Sequence, residues 1–147
     1  MTTTAADLRT LTSALSQQKS LYQQLLALAR QQSEFVANGQ SEELMSVLAA
    51  RSRLIDEIAP LDLQLQPYKG RWQEVLDSLA PADREPIATL LRDVQQLLGQ
   101  ILAQDEIDRE SLNRQKTQIG SELNRTVHGA VLNKAYGVKP RVGSVLG

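Results

Sequence analysis

Apolar residues in the second half of the chain recur every three or four positions, as on one face of an α-helix. Five of them, separated by four, three, four and three residues, define this face: Ile87, Leu91, Val94, Leu98 and Ile101. The pattern lapses at Asp105 and Asp108 and resumes at Leu112. A proline is tolerated in the first turn of a helix. We therefore predict a long helix from Pro86 to about Asn133, which at roughly 48 residues would be about 70 Å long.

The same spacing predicts a first helix from Ala5 to about Ala37. Its apolar stripe is interrupted by Gln18 and Gln32 and consists of Leu8, Leu11, Leu15, Tyr22, Leu25, Ala29 and Val36. Asn38 and Gly39 follow, and both accept the left-handed conformation that closes a helix. Ser41 is expected to cap the next helix. A connection this short predicts an antiparallel hairpin.

The second helix is predicted from Glu42 to about Gln66. Pro60 lies inside its apolar pattern and should kink it or end it at Ala59. A short helix should then pack over one end of the bundle, with Trp72, Val75, Leu76 and Leu79 on its apolar side. The stretch from Pro81 to Glu85 is interpreted as a turn that leads into the last helix.

The pattern as a whole predicts an all-α protein, an antiparallel bundle of three long helices with a short connecting helix. The second long helix is expected to be kinked or broken by prolines. We expect residues 1–134 to form the helical domain. Residues 135–147 are expected to form a flexible basic tail, because they are rich in glycine, contain no acidic residue and offer little apolar surface to bury.

The predicted last helix is longer than its neighbours. At roughly 33 residues the first helix is about 50 Å long, so about 20 Å of the last helix would lack partners. A further apolar stripe lies in that overhang: Leu123, Val127, Ala130 and Val131. We predict that residues 123–132 are weakly helical when free and become ordered against a partner helix. Packing of this stripe on the first helix, or in a homodimer, remains an alternative.

Composition and charge argue against several classes of function. The formal net charge is −1, which does not suggest binding to nucleic acid or to an anionic membrane. The chain has no cysteine, and its single histidine, His128, lacks the companions of a metal site. No catalytic serine arrangement or phosphate-binding loop is recognisable. The acidic run Asp105, Glu106, Asp108 and Glu110, with Arg109 and Arg114, is interpreted as a solvated face.

Four segments, taken in order, resemble one protein family. They are the helix turn from Phe35 to Leu44, the run from Leu48 to Leu61 in which Arg53 precedes Leu-Ile, the polar stretch from Asp105 to Asn113, and Ala135-Tyr136-Gly137. The chain is thereby similar to the FlgN-like flagellar export chaperones, which hold hook–filament junction proteins before secretion.

This resemblance implies a cytoplasmic, non-catalytic chaperone with no cofactor, no metal and no nucleic-acid partner. Its cargo would be the C-terminal helices of hook–filament junction proteins, for which Leu123, Val127, Ala130 and Val131 are the predicted contacts. Tyr136 matches the family position associated with the cytoplasmic domain of the export-gate membrane protein. The alternative is a coiled-coil scaffold protein that self-associates, for example as a homodimer, through the same stripes.

Overall fold

The computed structural model describes residues 3–114, which form four α-helices and one 3₁₀ turn. The elements are α1 (Ala5–Ala37), α2 (Ser41–Leu65), the 3₁₀ turn (Gln66–Tyr68), α3 (Trp72–Asp77) and α4 (Pro81–Arg114). These residues contain no strand, so the predicted all-α bundle of three long helices and one short helix is confirmed. Within the described range, no helix is both long enough and apolar enough to cross a membrane.

Helix α1 has the predicted bounds because both of its ends are closed by local hydrogen bonds. At the start, the Asp7 amide donates to Thr4 Oγ1 at 3.1 Å and the Thr4 amide donates to Asp7 Oδ2 at 3.0 Å. This reciprocal pair is a capping box, which satisfies amides that the first turn leaves unpaired. At the other end, Gly39 adopts a φ of 64°, which favours glycine and turns the chain towards α2.

Polar contacts between helices fix the direction of each one. Gln18 on α1 donates to Asp62 on α2 at 2.6 Å, and Gln32 accepts from Arg51 at 2.6 Å. Residue numbers rise along α1 as they fall along α2, so the predicted antiparallel hairpin is confirmed. On α4 the order is the opposite, because Lys19 pairs with Asp93 at 3.0 Å and Gln32 donates to Asp108 at 3.1 Å. Helix α1 packs against both α2 and α4, and α4 runs parallel to it.

Helix α2 continues through Pro60 and does not end at Ala59. Pro60 lies on the exposed side of the helix, while Ile58 and Leu61 on either side of it are buried. This burial offsets the loss of one backbone hydrogen bond. At the start of α2, Gln40 occupies the cap position and makes no side-chain cap bond, so the expected cap by Ser41 is wrong.

The short helix α3 covers one end of the bundle, as predicted. Val75 and Leu79 are buried against the long helices, and Trp72 packs beside Tyr68 with ring centroids 6.4 Å apart. The Tyr68 hydroxyl donates to Asp7 at 2.7 Å and so ties this end to the start of α1. Arg84 on α4 donates to the carbonyl oxygen of Leu76 at 2.9 Å. We call this the α3 end of the bundle.

Helix α4 begins at Pro81, so the predicted turn over Pro81–Glu85 is wrong. Pro81, rather than Pro86, takes the first-turn position where a missing amide is tolerated. Asp83 in the same turn is favoured by the positive end of the helix dipole. Pro86 follows inside the helix at an exposed position. The predicted continuation from Arg114 to Asn133 lies outside the described residues.

Two apolar clusters form the core. The larger, which we call the α3-end cluster, contains fifteen buried residues: Leu11, Ala14, Leu15, Tyr22, Leu25, Leu26, Leu54, Ile58, Leu61, Leu65, Val75, Leu79, Ile87, Val94 and Ile101. The smaller, which we call the turn-end cluster, lies near the α1–α2 turn and contains five: Val36, Leu44, Leu48, Ile55 and Leu112. On α1 and α4, buried polar side chains lie between the two clusters.

Candidate functional site

Four polar side chains form a layer across the bundle. Gln32 comes from α1, Arg51 from α2, and Asp105 and Asp108 from α4. Their exposed fractions are 0%, 0%, 2% and 1%, so the layer is closed to solvent. We call these four residues the polar layer. Burial of this kind requires that the charges be paired and hydrogen-bonded.

The polar layer is joined by a continuous set of hydrogen bonds. Arg51 makes a two-pronged contact with Asp105, from Nη1 to Oδ1 at 2.7 Å and from Nη2 to Oδ2 at 2.8 Å. Arg51 Nη1 also donates to Gln32 Oε1 at 2.6 Å, and Gln32 Nε2 donates to Asp108 Oδ2 at 3.1 Å. Paired bonds between guanidinium and carboxylate are among the stronger polar contacts and demand a fixed geometry. The layer therefore links all three long helices at one level.

The polar layer corrects the interpretation of the acidic run on α4. Asp105 and Asp108 are buried, while Glu106 pairs with Arg109 at the surface and Glu110 is exposed. The sequence held a signal for this, since Ile101, Asp105, Asp108 and Leu112 keep the spacing of four, three and four that marks the buried face. Asp105 and Asp108 interrupt this face in the sequence, but the charge of the whole run led to its interpretation as solvated.

The two carboxyl groups of the layer share one cation. Burial raises the pKa of Asp108 to about 6, and the charge of Asp105 adds to the rise. Contacts with Ser33, Gln104 and Arg51 oppose it without cancelling it. Because Arg51 is already engaged by Asp105, a charged Asp108 would be the second anion beside a single buried cation.

This raised pKa predicts how stability depends on pH. The folded state holds the Asp108 proton more tightly than the unfolded state, whose carboxyl has an ordinary pKa near 3.8. The stabilisation is complete below about pH 4 and is lost as the pH rises to about 6. Its magnitude is of the order of 1–3 kcal/mol.

The pH prediction can be checked with Asp108→Asn, which keeps an oxygen that accepts from Gln32. Urea unfolding measures the free energy of unfolding at pH 4.5 and at pH 7. Between these two pH values it should fall less in Asp108→Asn than in the unsubstituted protein. Comparing the two proteins separates Asp108 from Asp7 and Glu106, whose pKa values are lowered and which act in the opposite direction. Equal declines in both proteins would contradict the assignment to Asp108.

The polar layer is suited to holding helices in register rather than to catalysis. Its charged groups are bonded to one another and shielded from any small molecule. Among residues 3–114, no group of three histidine, cysteine or acidic side chains is arranged to hold a metal ion. The polar layer is therefore a structural element that positions the end of α4.

The residues predicted to contact partners, Leu123, Val127, Ala130, Val131 and Tyr136, lie outside the described residues. The structure does fix where the chain leaves the bundle. Leu112 is buried in the same cluster as Val36 and Leu44, at the level where α1 ends and α2 begins. Helix α1 ends at Ala37 and α2 begins at Ser41, so neither helix extends past the level of Leu112. Arg114, the last described residue, thus lies at the turn end.

Comparison with known proteins gives one match. Neither a curated protein nor a solved structure matches the chain. The sequence model of a protein family described as "FlgN protein" matches residues 1–141 and so covers nearly the whole chain. This confirms the resemblance drawn from the order of the four sequence segments. The chain therefore belongs to the FlgN family and has, in general terms, the role of a flagellar export chaperone.

Proposed function

We propose that this protein binds the helical C-terminal segments of hook–filament junction proteins in the cytoplasm and delivers them to the export apparatus. Leu123, Val127, Ala130 and Val131 are the proposed cargo contacts, and Tyr136 is the proposed contact with the cytoplasmic domain of the export-gate membrane protein. Membership of the FlgN family supports the general role. The assignment of these residues rests on one observation: the described part of α4 ends near the α1–α2 turn.

The argument for the cargo contacts starts from that point. Leu112 is the last buried residue of α4 and packs at the level of the α1–α2 turn. The stripe that begins at Leu123 follows nine residues after Arg114 in the sequence. Its spacing of four, three and one residues gives one apolar face if the segment is helical. A face of this kind is suited to packing with an amphipathic helix from another protein.

We assign no catalytic, cofactor-binding or metal-binding role to the described residues. The buried ionisable side chains bond to one another across the helices, an arrangement that stabilises a single packing. Proteins that bind helices need apolar surface and a fixed scaffold more than reactive groups.

Substitutions in the stripe test the cargo site. Val127→Asp and Val131→Asp are expected to weaken binding of a peptide carrying the C-terminal helix of a junction protein by at least about tenfold, because each places a charge in an apolar contact. The thermal midpoint should remain nearly unchanged. Ile107→Asp is a matched control, since Ile107 is 56% exposed on α4 and lies outside the stripe. Isothermal titration calorimetry and thermal melts provide both measurements.

Two results would contradict the proposed site. Destabilisation of several kcal/mol by Val127→Asp or Val131→Asp would identify these residues as core. A stable homodimer in solution that protects residues 123–131 would favour the self-associating scaffold. A monomer that forms a one-to-one complex with the junction protein supports the chaperone.

Delivery is tested separately with Tyr136. Tyr136→Ala is expected to leave cargo binding unchanged and to weaken binding to the purified cytoplasmic domain of the export gate. Tyr136→Phe, which keeps the ring, is the control that separates the role of the ring from that of the hydroxyl. Unchanged binding of the gate domain by Tyr136→Ala would remove the proposed contact.

A further inference from the structure

The two ends of the bundle differ in the amount of apolar packing that holds them. The α3-end cluster has fifteen buried residues and draws on α1, α2, α3 and α4. The turn-end cluster has five buried residues, with Phe35 packed against it, and draws only on α1, α2 and α4. Because apolar burial is the main stabilising contribution, the turn end is held less strongly than the α3 end.

The polar layer interrupts apolar packing between the two clusters on α1 and α4. Gln32 precedes Val36 on α1, and Asp105 with Asp108 precedes Leu112 on α4. On α2, Arg51 follows Leu48, but Ile55 of the turn-end cluster lies beyond Arg51, next to Leu54 of the α3-end cluster. A buried ion pair contributes little net stability compared with apolar side chains of similar volume, because both charges lose their hydration. The layer therefore couples the two clusters less strongly than a continuous apolar core would.

The start of α2, at the turn end, lacks a side-chain cap, although Glu42 and Glu43 in its first turn are favoured by the positive end of the helix dipole. Gln40 makes no side-chain cap bond to α2, in contrast to the capping box that closes the start of α1. The last turn of α1 also contains no basic residue to interact with the negative end of the helix dipole. The turn end thus combines a small apolar cluster, a weak cap and a polar boundary.

We propose that residues 33–50 and 109–114, which we call the turn-end unit, open together while the α3 end of the bundle stays folded. The polar layer is the boundary at which opening stops. Opening releases the last turns of α4 and exposes Val36, Leu44, Leu48 and Leu112. Resting on the proposed function, this opening regulates the cargo site, because the released turns of α4 lead directly into the segment that contains Leu123.

Native-state hydrogen exchange tests the opening in the full chain. Amides of residues 45–50 and 109–112 are expected to exchange at least about tenfold faster than those of residues 54–65 and 87–101, with little dependence on low urea concentrations. The proposal would be overturned if amides on both sides of the polar layer had the same opening free energy and the same dependence on urea. This measurement needs no substitution.

A variant with an apolar layer tests the boundary. This variant replaces every member of the layer, so no buried charge is left without its partner. Its substitutions are Gln32→Leu, Arg51→Met, Asp105→Leu and Asp108→Leu. Exchange at the turn-end unit is expected to slow to the rate of the α3 end. The control, Lys19→Met with Asp93→Leu, removes a partly exposed ion pair between α1 and α4 outside the polar layer and should leave turn-end exchange unchanged. Unchanged exchange at the turn-end unit of the apolar-layer variant would overturn the role of the layer. If this variant does not fold, the exchange pattern of the unsubstituted chain alone decides whether the turn-end unit opens separately.

Cargo binding by the same variants tests the link to function. The apolar-layer variant should bind the junction-protein helix at least about fivefold more weakly, since binding would no longer gain from the released turns. Slower exchange with unchanged affinity would overturn regulation of the cargo site and leave the opening itself supported. Absence of binding by the unsubstituted chain would instead contradict the proposed function, whatever its exchange pattern.

Discussion

Arg51→Met is expected to lower the free energy of unfolding by about 3–5 kcal/mol, because it leaves Asp105 buried without its ion-pair partner. The side chains of Arg51 and Asp105 are only 1% and 3% exposed, so water cannot replace the lost contacts. Gln32 Oε1 loses its donor in the same substitution. Urea unfolding followed by circular dichroism at pH 7 measures the change.

Two further variants distinguish the buried pair from an ordinary charge effect. Lys19→Met breaks the half-exposed Lys19–Asp93 pair and should change stability by about 0–1 kcal/mol. The double variant Arg51→Met with Asp105→Leu removes both charges and should regain much of the loss. If Arg51→Met were no more destabilising than Lys19→Met, the buried pair would not hold in solution.

Ile101→Ala is expected to lower the free energy of unfolding by about 2–5 kcal/mol. Ile101 is fully buried on α4 as the last member of the larger cluster before the polar layer. Truncation there removes apolar contact and leaves a cavity that the neighbouring helices fill only in part.

The neighbouring residue provides a matched control. Leu102 follows Ile101 on the same helix but is 45% exposed, and Leu102→Ala should change stability by no more than about 0.5 kcal/mol. Chemical denaturation of both variants measures the difference. Similar losses for Ile101→Ala and Leu102→Ala would contradict the orientation of α4 in the bundle.

Much of the fold could be predicted from the sequence because it depends on local signals. Apolar spacing and the Asn38-Gly39 break set the bounds of α1, and the short turn set the antiparallel hairpin. The start of α4 was harder to predict from the sequence, because either Pro81 or Pro86, five residues later, could occupy the first turn. Packing of the preceding α3 segment, including the bond from Arg84 to the Leu76 carbonyl, favours the start at Pro81.

Spacing on α4 indicated which aspartates face the bundle, but the partner that allows their burial was beyond local reasoning. On α4 alone, Asp105 and Glu106 differ only in helical phase, and their charges suggest the same solvated surface. Asp105 can be buried because Arg51, 54 residues earlier, reaches it from another helix. Family membership could be predicted from the order of several segments, although each is weak alone. The cargo and export-gate contacts stay predictions.

The bond between Arg51 and Asp105 has a consequence for how α4 can slide. Leucine-rich helices tolerate displacement by seven residues, because an aliphatic side chain then replaces another of similar size. Here such a step would bring Leu98 or Leu112 opposite the guanidinium group and strand a buried charge. The pairing with Arg51 therefore fixes the axial position of α4 at Asp105, so every copy of the protein holds α4 in the same register against the hairpin.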